Sequence, residues 1–503
     1  MAVDSEKNPV LGFDLGTTFS ALARWIDGRG PRIIQNKTGQ DTTQSVVYYN
    51  SEKEEYIVGQ IAYRRGLIMP ENMIVGVKRL MDDVNQKVKL GGKEFNPVEI
   101  SAIILEKIYE DAKSKFPKGV FSSRGSVVTV PFYFKAHQIE NTRIAADKAN
   151  INCIGVIQEP IAASLCYAYQ LSEEYPEKEF SENILVFDLG GGTFDLTLFR
   201  LEQTRKSLNF EVLGTGGDDR LGGMDFDTCF AELILQKNRL SLDGLAPVQF
   251  NQSRQKLMEA TIDAKKTLSS TTECWVSVPF IIPPDKNIDC EMTREEFEAS
   301  IQHYVRKIKE IIHNLWTKSG IKPSEVDRII RVGGSSAIPC MKALLDDVIG
   351  ESKVWSNANP STSIAEGAAM YAAYLDNRNF FDKEIAIYTR TCHALGIKTV
   401  KREGRNFKEL IPANHRTPCT VKQVFTTYQD NVPFLDIDIY QGAGPVIRRD
   451  THSHIGTISI PDLPPRPAGK LDVEVTFKID EEQMLSVTVV AEGQQKSAIL
   501  NYT

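Results

Sequence analysis

Residues 10–25, VLGFDLGTTFSALARW, and residues 185–199, LVFDLGGGTFDLTLF, follow one plan. Each runs from an apolar strand into Phe-Asp-Leu-Gly, then small residues and threonine, then a second apolar strand. The flanks read as buried strands joined by a tight turn, so each copy is expected to be a β-hairpin. The turns break strand composition, for the second holds Asp188, three consecutive glycines and Asp195. Buried carboxylates are costly and glycine runs weaken a strand, so something must compensate them. Two copies, about 170 residues apart, point to a duplicated α/β domain with a ligand between its halves.

A chain of 503 residues exceeds what one hydrophobic core supports and implies several domains. Its 42% apolar and 25% charged content is that of an ordinary globular protein. A net charge of −7, from 59 basic and 66 acidic residues, argues against a general nucleic-acid surface but leaves room for a local basic pocket. No apolar run approaches the roughly 20 residues that span a bilayer, and MAVDSEKNPV lacks the pattern of a secretion signal. The cysteines, at 153, 166, 229, 274, 290, 340, 392 and 419, show no CxxC pairing. They read as reduced thiols, so a cytoplasmic chain is expected, with no membrane or nucleic-acid partner.

Between and beyond the hairpins the pattern alternates between strand and helix. Residues 97–116 and 136–149 read as helices around the strand SVVTVP (126–131). CIGVIQEPIAASLCYAYQL (153–171) reads as a strand and then a helix opening on Glu159 and Pro160. Helices are expected at 224–239, 251–268 and 293–319, with a strand pair around 273–283 and a strand at 328–332. A further helix over 359–375 is expected to be capped near Asn359 or Ser361. From 394 onwards helical periodicity is absent. The segments 434–440, 455–460, 471–477 and 484–492 alternate apolar and polar residues between turns, as in a β-sandwich. The expected division is an α/β domain over 1–383, a linker over 384–391 and an all-β sandwich over 392–503.

A turn of glycines lets backbone N–H groups approach an anion, and threonine hydroxyls add donors. Acids cannot face phosphate unless a cation intervenes, and hydrated Mg2+ is the ordinary intermediary. Two such hairpins facing each other would grip a nucleoside triphosphate. Solvent-facing turns with solvated acids would account for one copy. They do not account for two copies plus GTGGDDRLGGMDFD (214–227) and VGGSSAIP (332–339).

Taken in order, FDLGTTFS, VTVPFYF, EPIAAS, FDLGGGTFDLTL, LGGMDFD, AKKTLSS, VGGSSAIP and NPSTSIAEGAA resemble the motifs of the 70-kDa heat-shock chaperones (DnaK-type). That family belongs to the actin and sugar-kinase ATPase superfamily, and the resemblance runs through nearly the whole chain. It implies a two-lobed, actin-like ATPase domain of duplicated ribonuclease-H-like halves, followed by a peptide-binding β-sandwich. It implies ATP/ADP and Mg2+ as cofactors. Thr17, Thr18, Gly190, Gly191, Gly192 and Thr193 would hold the β- and γ-phosphates, and Asp14 and Asp188 would hold Mg2+ through its waters. Lys78 would orient the attacking water with Glu159 and Asp195, with Thr193 counted in the same catalytic group. Gly333, Gly334 and Ser335 would approach the nucleoside, and Gly222, Gly223, Lys265, Lys266 and Ser269 complete the implied nucleotide set. Ile397, Phe425, Leu435 and Ile437 would line a peptide pocket, with Val400 and Tyr428 arching over the peptide. For Ile437 an ordinary place in the sandwich core is an equal expectation.

The chain departs from the family pattern at the nucleoside. Ile262 replaces a glutamate that accepts from the ribose hydroxyls. Lys266 and Ala337 replace arginines on the two sides of the base, and Ser361 an aspartate. Lysine does not stack as guanidinium does, so weaker or less base-selective binding is expected with phosphate chemistry retained. Gly155 and Gln158 replace residues associated with J-domain contact, Ile139 an arginine paired with Pro131, and KEIAIYTRT an acidic leucine-rich linker. These changes weaken the expectation of an ordinary J-domain co-chaperone, nucleotide exchange factor and interdomain signalling. The family's helical lid does not follow the last strand, as in a cut or naturally lidless form, and a lidless groove would exchange peptide quickly. His452 and His454 read as an exposed loop pair rather than a metal site.

The leading reading is an ATP-dependent chaperone that hydrolyses ATP and binds extended hydrophobic segments of client proteins. A non-folding regulator that uses its nucleotide-bound shape to bind a partner is the alternative. A small-molecule kinase of the same superfamily fits less well, because Lys78 and Glu159 would direct water rather than a substrate hydroxyl. A filament subunit has no use for the β-sandwich.

Overall fold

The computed structural model describes residues 8–83, 85–116, 121–132, 134–175, 178–350, 353–355, 359–377, 384–391, 393–401, 404–448, 451–480 and 485–500. Both expected hairpins are present. Val10–Asp14 pairs antiparallel with Phe19–Ile26, and Phe180–Leu189 with Phe194–Gln203. Each hairpin is the centre of its own sheet. In the first, Gly125–Val130 and Cys153–Gln158 add in parallel on one side and Gly30–Ile33 adds antiparallel on the other. In the second, Arg328–Val332 and Val354–Trp355 add in parallel and Ser207–Asp218 adds antiparallel. The two sheets therefore share one strand plan, and the sequence repeat is a structural repeat.

Two helices, Glu159–Glu174 and Ser363–Asp376, pack against each other and join a core shared by both sheets. That core includes Val10, Trp25 and Val127 of the first sheet and Ile184, Val186 and Phe199 of the second. At the crossing, Gly367 has no Cβ, and the Ala162 carbonyl occupies the space one would need. The first helix begins as the sequence indicates, with Glu159 in its first turn and proline at the second position. The helix Pro97–Lys113 starts on a capping box in which Asn96 and Glu99 each accept the other's backbone N–H at 2.9 Å. Each lobe carries a smaller subdomain. One holds the three-stranded sheet of Val46–Asn50, Glu55–Val58 and Met73–Val75, and the other the pair Glu273–Ile282 and Lys286–Thr293.

Several expected boundaries shift. The helix expected over 293–319 is two helices, Arg294–Ser300 and Gln302–Ser319, parted at Ile301, whose ψ of 5° leaves the helical range. The last helix begins at Ser363 after Thr362, because Asn359 uses its side chain on Ser361 N (3.1 Å) and its carbonyl on Thr362 and Ser363. The region read as a linker is, over Glu384–Tyr388, a further strand of the second sheet, parallel to Ser207–Glu211. The expected boundary residues 383 and 392 lie outside the described residues.

The C-terminal region is a sandwich of two four-stranded antiparallel sheets. Its core joins inward residues of both, among them Leu395, Ile439 and Ile458 from one and Val475, Phe477 and Val487 from the other. The strands Gly404–Ile411, Cys419–Thr426 and Gln494–Leu500 complete it. Arg390 links the regions, donating to Val212 O (2.6 Å) in the second lobe and to Asn414 O (2.9 Å) in the sandwich.

Candidate functional site

Both hairpin turns open into one cleft of about 260 Å3 between the lobes. Its wall includes Asp14, Thr17, Thr18, Lys78, Glu159, Asp188, Gly190, Gly191, Thr193, Gly333 and Gly334. Phe19, Pro360, Ser361 and Ile364 close another side. The hairpin turns touch: a Cβ at Gly192 would lie 2.5 Å from the Thr17 side chain, and one at Gly191 would strike Thr18 Oγ1. Glycine is therefore required where the two turns meet. Gly333 sits at a φ of +77°, and a side chain there would strike the Leu189 carbonyl.

Asp188 and Asp195 are buried and Asp14 is half-buried, and the nearby Lys78 ammonium offsets their charge only in part. Asp14 accepts from Thr129 Oγ1 at 3.0 Å, yet burial, followed by the charge of Glu159, pushes its pKa up to about 7. Burial, then Glu159, Asp195 and Asp14, raise Asp188 well above the usual carboxylate range. Asp195 lies opposite Asp188 across the hairpin and is itself buried. Thr18 Oγ1 and one Asp188 oxygen are buried with no hydrogen-bond partner. Clustered carboxylates and an unpartnered hydroxyl beside the two hairpin turns suit a hydrated divalent cation carrying phosphate oxygens. The residues fit Mg2+ and a polyphosphate.

Lys78 lies on the short 3-10 turn Val77–Leu80 and is buried, with its ammonium paired to Glu159 and 5.8 Å from the Phe134 ring centroid. Alone, the sequence gives a solvated lysine beside Arg79. The structure instead makes Lys78 an interior cation facing the acids. Arg79 is a residue that the sequence reading passed over. It reaches across the cleft, donating from Nε to Gly192 O (2.8 Å) and from both terminal nitrogens to Asp225 (3.2 and 2.5 Å). An arginine beside a lysine carries no sequence signal of which one turns inward.

Of the nucleoside set, Gly333 and Gly334 line the cleft itself. Gly222 and Gly223 start the helix Gly223–Lys237, tied to the second turn through Gly223 N to Gly190 O (3.0 Å) and Met224 N to Gly191 O (2.9 Å). Lys265 pairs with buried Asp227 at 2.6 Å and donates to Gly223 O at 3.3 Å. Lys266, one residue on, is exposed and 3.9 Å from Asp263. Ser269 Oγ returns to Lys265 O at 3.0 Å, and Ser335 is buried. Ile262 is half-buried, and Ala337 and Ser361 are exposed.

In the sandwich, Ile397 and Ile437 are core residues, and Phe425 and Leu435 pack partly buried against the same core. Tyr428 is 61% exposed, and Val424 and Phe434 are exposed as well. The Val400 side chain lies outside the described residues. His452 is buried and stacks edge-on against Phe407 (centroids 4.9 Å), and His454 bonds to Thr457 at 3.0 Å. The expectation of an exposed pair therefore fails for His452. Among the described residues no group of three or more His, Cys, Asp or Glu side chains is arranged to hold a metal directly.

Comparison with known proteins identifies the family. The family described as "Hsp70 protein" matches residues 10–89 and 81–502. A chaperone protein dnaK of Emiliania huxleyi is 34% identical over 512 residues, covering 97% of this chain and 78% of its own length. A chaperone protein dnaK of Gracilaria tenuistipitata var. liui is 34% identical over 520 residues, covering 98% and 80%. A family match through both lobes and the sandwich, together with relatives 34% identical over nearly the whole chain, makes this chain a member of the Hsp70 family.

Proposed function

We propose that Lys78, Glu159, Asp195 and Thr193 carry the hydrolytic step in the interlobe cleft. As an Hsp70 chain, the protein is an ATP-dependent chaperone that hydrolyses ATP to ADP and phosphate with Mg2+ and binds unfolded polypeptide. In this reading Thr17, Thr18 and the second turn, Gly190, Gly191, Gly192 and Thr193, hold the phosphates. Asp14 and Asp188 hold the hydrated cation, which neutralises phosphate charge. Phosphoryl transfer needs mainly positioning and charge compensation. The Lys78–Glu159 pair supplies both, a cation toward the phosphates and a carboxylate able to accept a proton from water. The observation that carries the reading is this buried pair, held in the same cleft as both glycine turns and their acids. Gly222, Gly223, Lys265, Lys266, Ser269, Gly333, Gly334 and Ser335 form the nucleoside side, of which exposed Lys266 is the least constrained.

We further propose that clients lie in a pocket lined by Ile397, Phe425, Leu435 and Ile437, with Val400 and Tyr428 arching over the peptide. Support comes from the exposure of Tyr428 and from Phe425 and Leu435, which enter the sandwich core only in part. The proposed division keeps the ATPase over 1–383, the linker over 384–391, docked as a strand on the second sheet over Glu384–Tyr388, and the sandwich over 392–503. J-domain stimulation and exchange-factor contact are proposed to be weak. Gly155 is buried with Leu375 where a side chain would project, and Ile139 is a core residue, so neither position offers a polar contact. Among the described residues no helix is long and apolar enough to cross a membrane. Seven described cysteines are free, which supports a reducing compartment such as the cytoplasm. The non-folding regulator is not favoured by the comparisons.

The test measures ATP turnover and fluorescent-peptide affinity together, for this chain and for Lys78→Ala. Turnover lost in the variant, and peptide affinity that falls when ATP is added to the parent, agree with the reading. Tight partner binding without turnover would overturn it in favour of the regulator, and phosphate transfer to a metabolite in favour of the kinase.

A further inference from the structure

The turn that carries Lys78 is built with two opposed faces. It opens at Gly76, whose left-handed backbone (φ 67°) would place a Cβ 3.1 Å from the Met224 side chain of the other lobe. Lys78 faces its own lobe and pairs with Glu159. Arg79 faces the other. The turn's base is fixed in the first lobe, where fully buried Met81 gives its carbonyl to Asn141 Nδ2 at 2.9 Å. Arg79 therefore crosses the cleft from an anchored support.

Both partners of Arg79 belong to the phosphate side. Gly192 O is backbone of the second glycine turn. Asp225 takes the guanidinium in a two-pronged contact and also accepts Gly222 N at 2.8 Å, fixing the helix start that bonds to Gly190 and Gly191. Both side chains are about one-fifth exposed, which keeps a charge-assisted fork effective. The lobes are also joined at the outer rim by Gln252 Nε2 to Ile68 O, a neutral bond of 3.2 Å.

We infer that Arg79 is a positioning residue that clasps the lobes over bound nucleotide, so that nucleotide leaves only when its contacts to Gly192 and Asp225 break. The inference rests on the proposed use of the cleft. It adds that closure and Lys78 alignment are one event, because Lys78 and Arg79 are successive residues of one anchored turn. Lysine at 79 keeps the charge but not the fork.

Two measurements on the whole chain test it. Release of fluorescent ADP in Mg2+ is expected to quicken about tenfold in Arg79→Ala and in Asp225→Asn, with no further gain in the double variant. Arg79→Lys is expected to restore part of the slow release, a rescue that a merely structural role would not give. Without nucleotide, amide exchange over 190–193 and 222–226 is expected to quicken in Arg79→Ala, while the sandwich is unchanged. Release within twofold of the parent, or effects that multiply in the double variant, would overturn the clasp. A parent chain that holds no fluorescent ADP would overturn the cleft assignment instead, and amide exchange would then decide the clasp alone.

Discussion

Replacing Lys78 by alanine separates a stability effect from a catalytic one. In the folded chain the Lys78 ammonium and Glu159 carboxylate are both more than nine-tenths buried and in contact. Removing the cation leaves Glu159 as a charge in the interior, beside Asp14 and Asp188, which already feel its field. Breaking a buried pair by deleting one partner costs on the order of 3–5 kcal/mol. For a large domain this corresponds to a fall of roughly 5 °C or more in melting temperature. Losing a preorganised cation at the phosphates is expected to slow hydrolysis by about a hundredfold or more. The double variant Lys78→Ala/Glu159→Gln has no orphan charge, so its melting temperature returns most of the way while its turnover stays low. Thermal melts without nucleotide and single-turnover hydrolysis at saturating ATP provide the two readings. A single variant that melts with the parent, or a double variant that regains turnover, would refute the reasoning.

Three further outcomes follow from the same geometry. Asp14 has a folded pKa near 7, above its unfolded value, so in the metal-free chain its contribution to stability is full below about pH 4 and lost as pH rises through about 7. Mg2+ with ADP needs the charged form, so the melting-temperature gain on adding them is expected to grow between about pH 5.5 and pH 8; a gain that shrinks over this range contradicts the assignment. With half-buried Ile262 and an outward-facing Lys266, ATP is expected to be preferred over GTP only weakly, and competition titration showing strong preference would count against this. Arg390 bridges the second lobe and the sandwich, and Arg416 lies 3.5 Å from Glu211 and 4.5 Å from the Tyr388 ring centroid. Alanine at both positions should speed amide exchange over 384–388 while leaving the sandwich core protected.

Much of this architecture is legible in the sequence because composition and function conflict at a few points. Asp188 and Asp195 beside three glycines make no sense as plain strand, and their repetition at Asp14 reveals the duplication that the two sheets share. Elements whose signal is tertiary were not legible. EIAIY (384–388) has strand composition, but its parallel partner lies about 175 residues earlier, and nothing local sets a docked strand apart from an extended linker. The division at Ile301 preserves the apolar spacing on either side, so periodicity runs through it. Lys265 and Lys266 are alike in sequence, yet helical geometry turns one to Asp227 and the other to solvent. Arg79 was missed for the same reason, since its meaning lies in Gly192 and Asp225, more than a hundred residues away.

The central claim is that two acid-bearing glycine turns make this cleft a Mg2+-dependent site of ATP hydrolysis. Phosphate release in a single turnover, with stoichiometric ATP and either Mg2+ or a chelator, tests it most directly when the parent is set beside Asp188→Asn. The account predicts one phosphate per chain from the parent in Mg2+, and next to none with the chelator or from the variant. Equal release from Asp188→Asn, or release that ignores the metal, would contradict it.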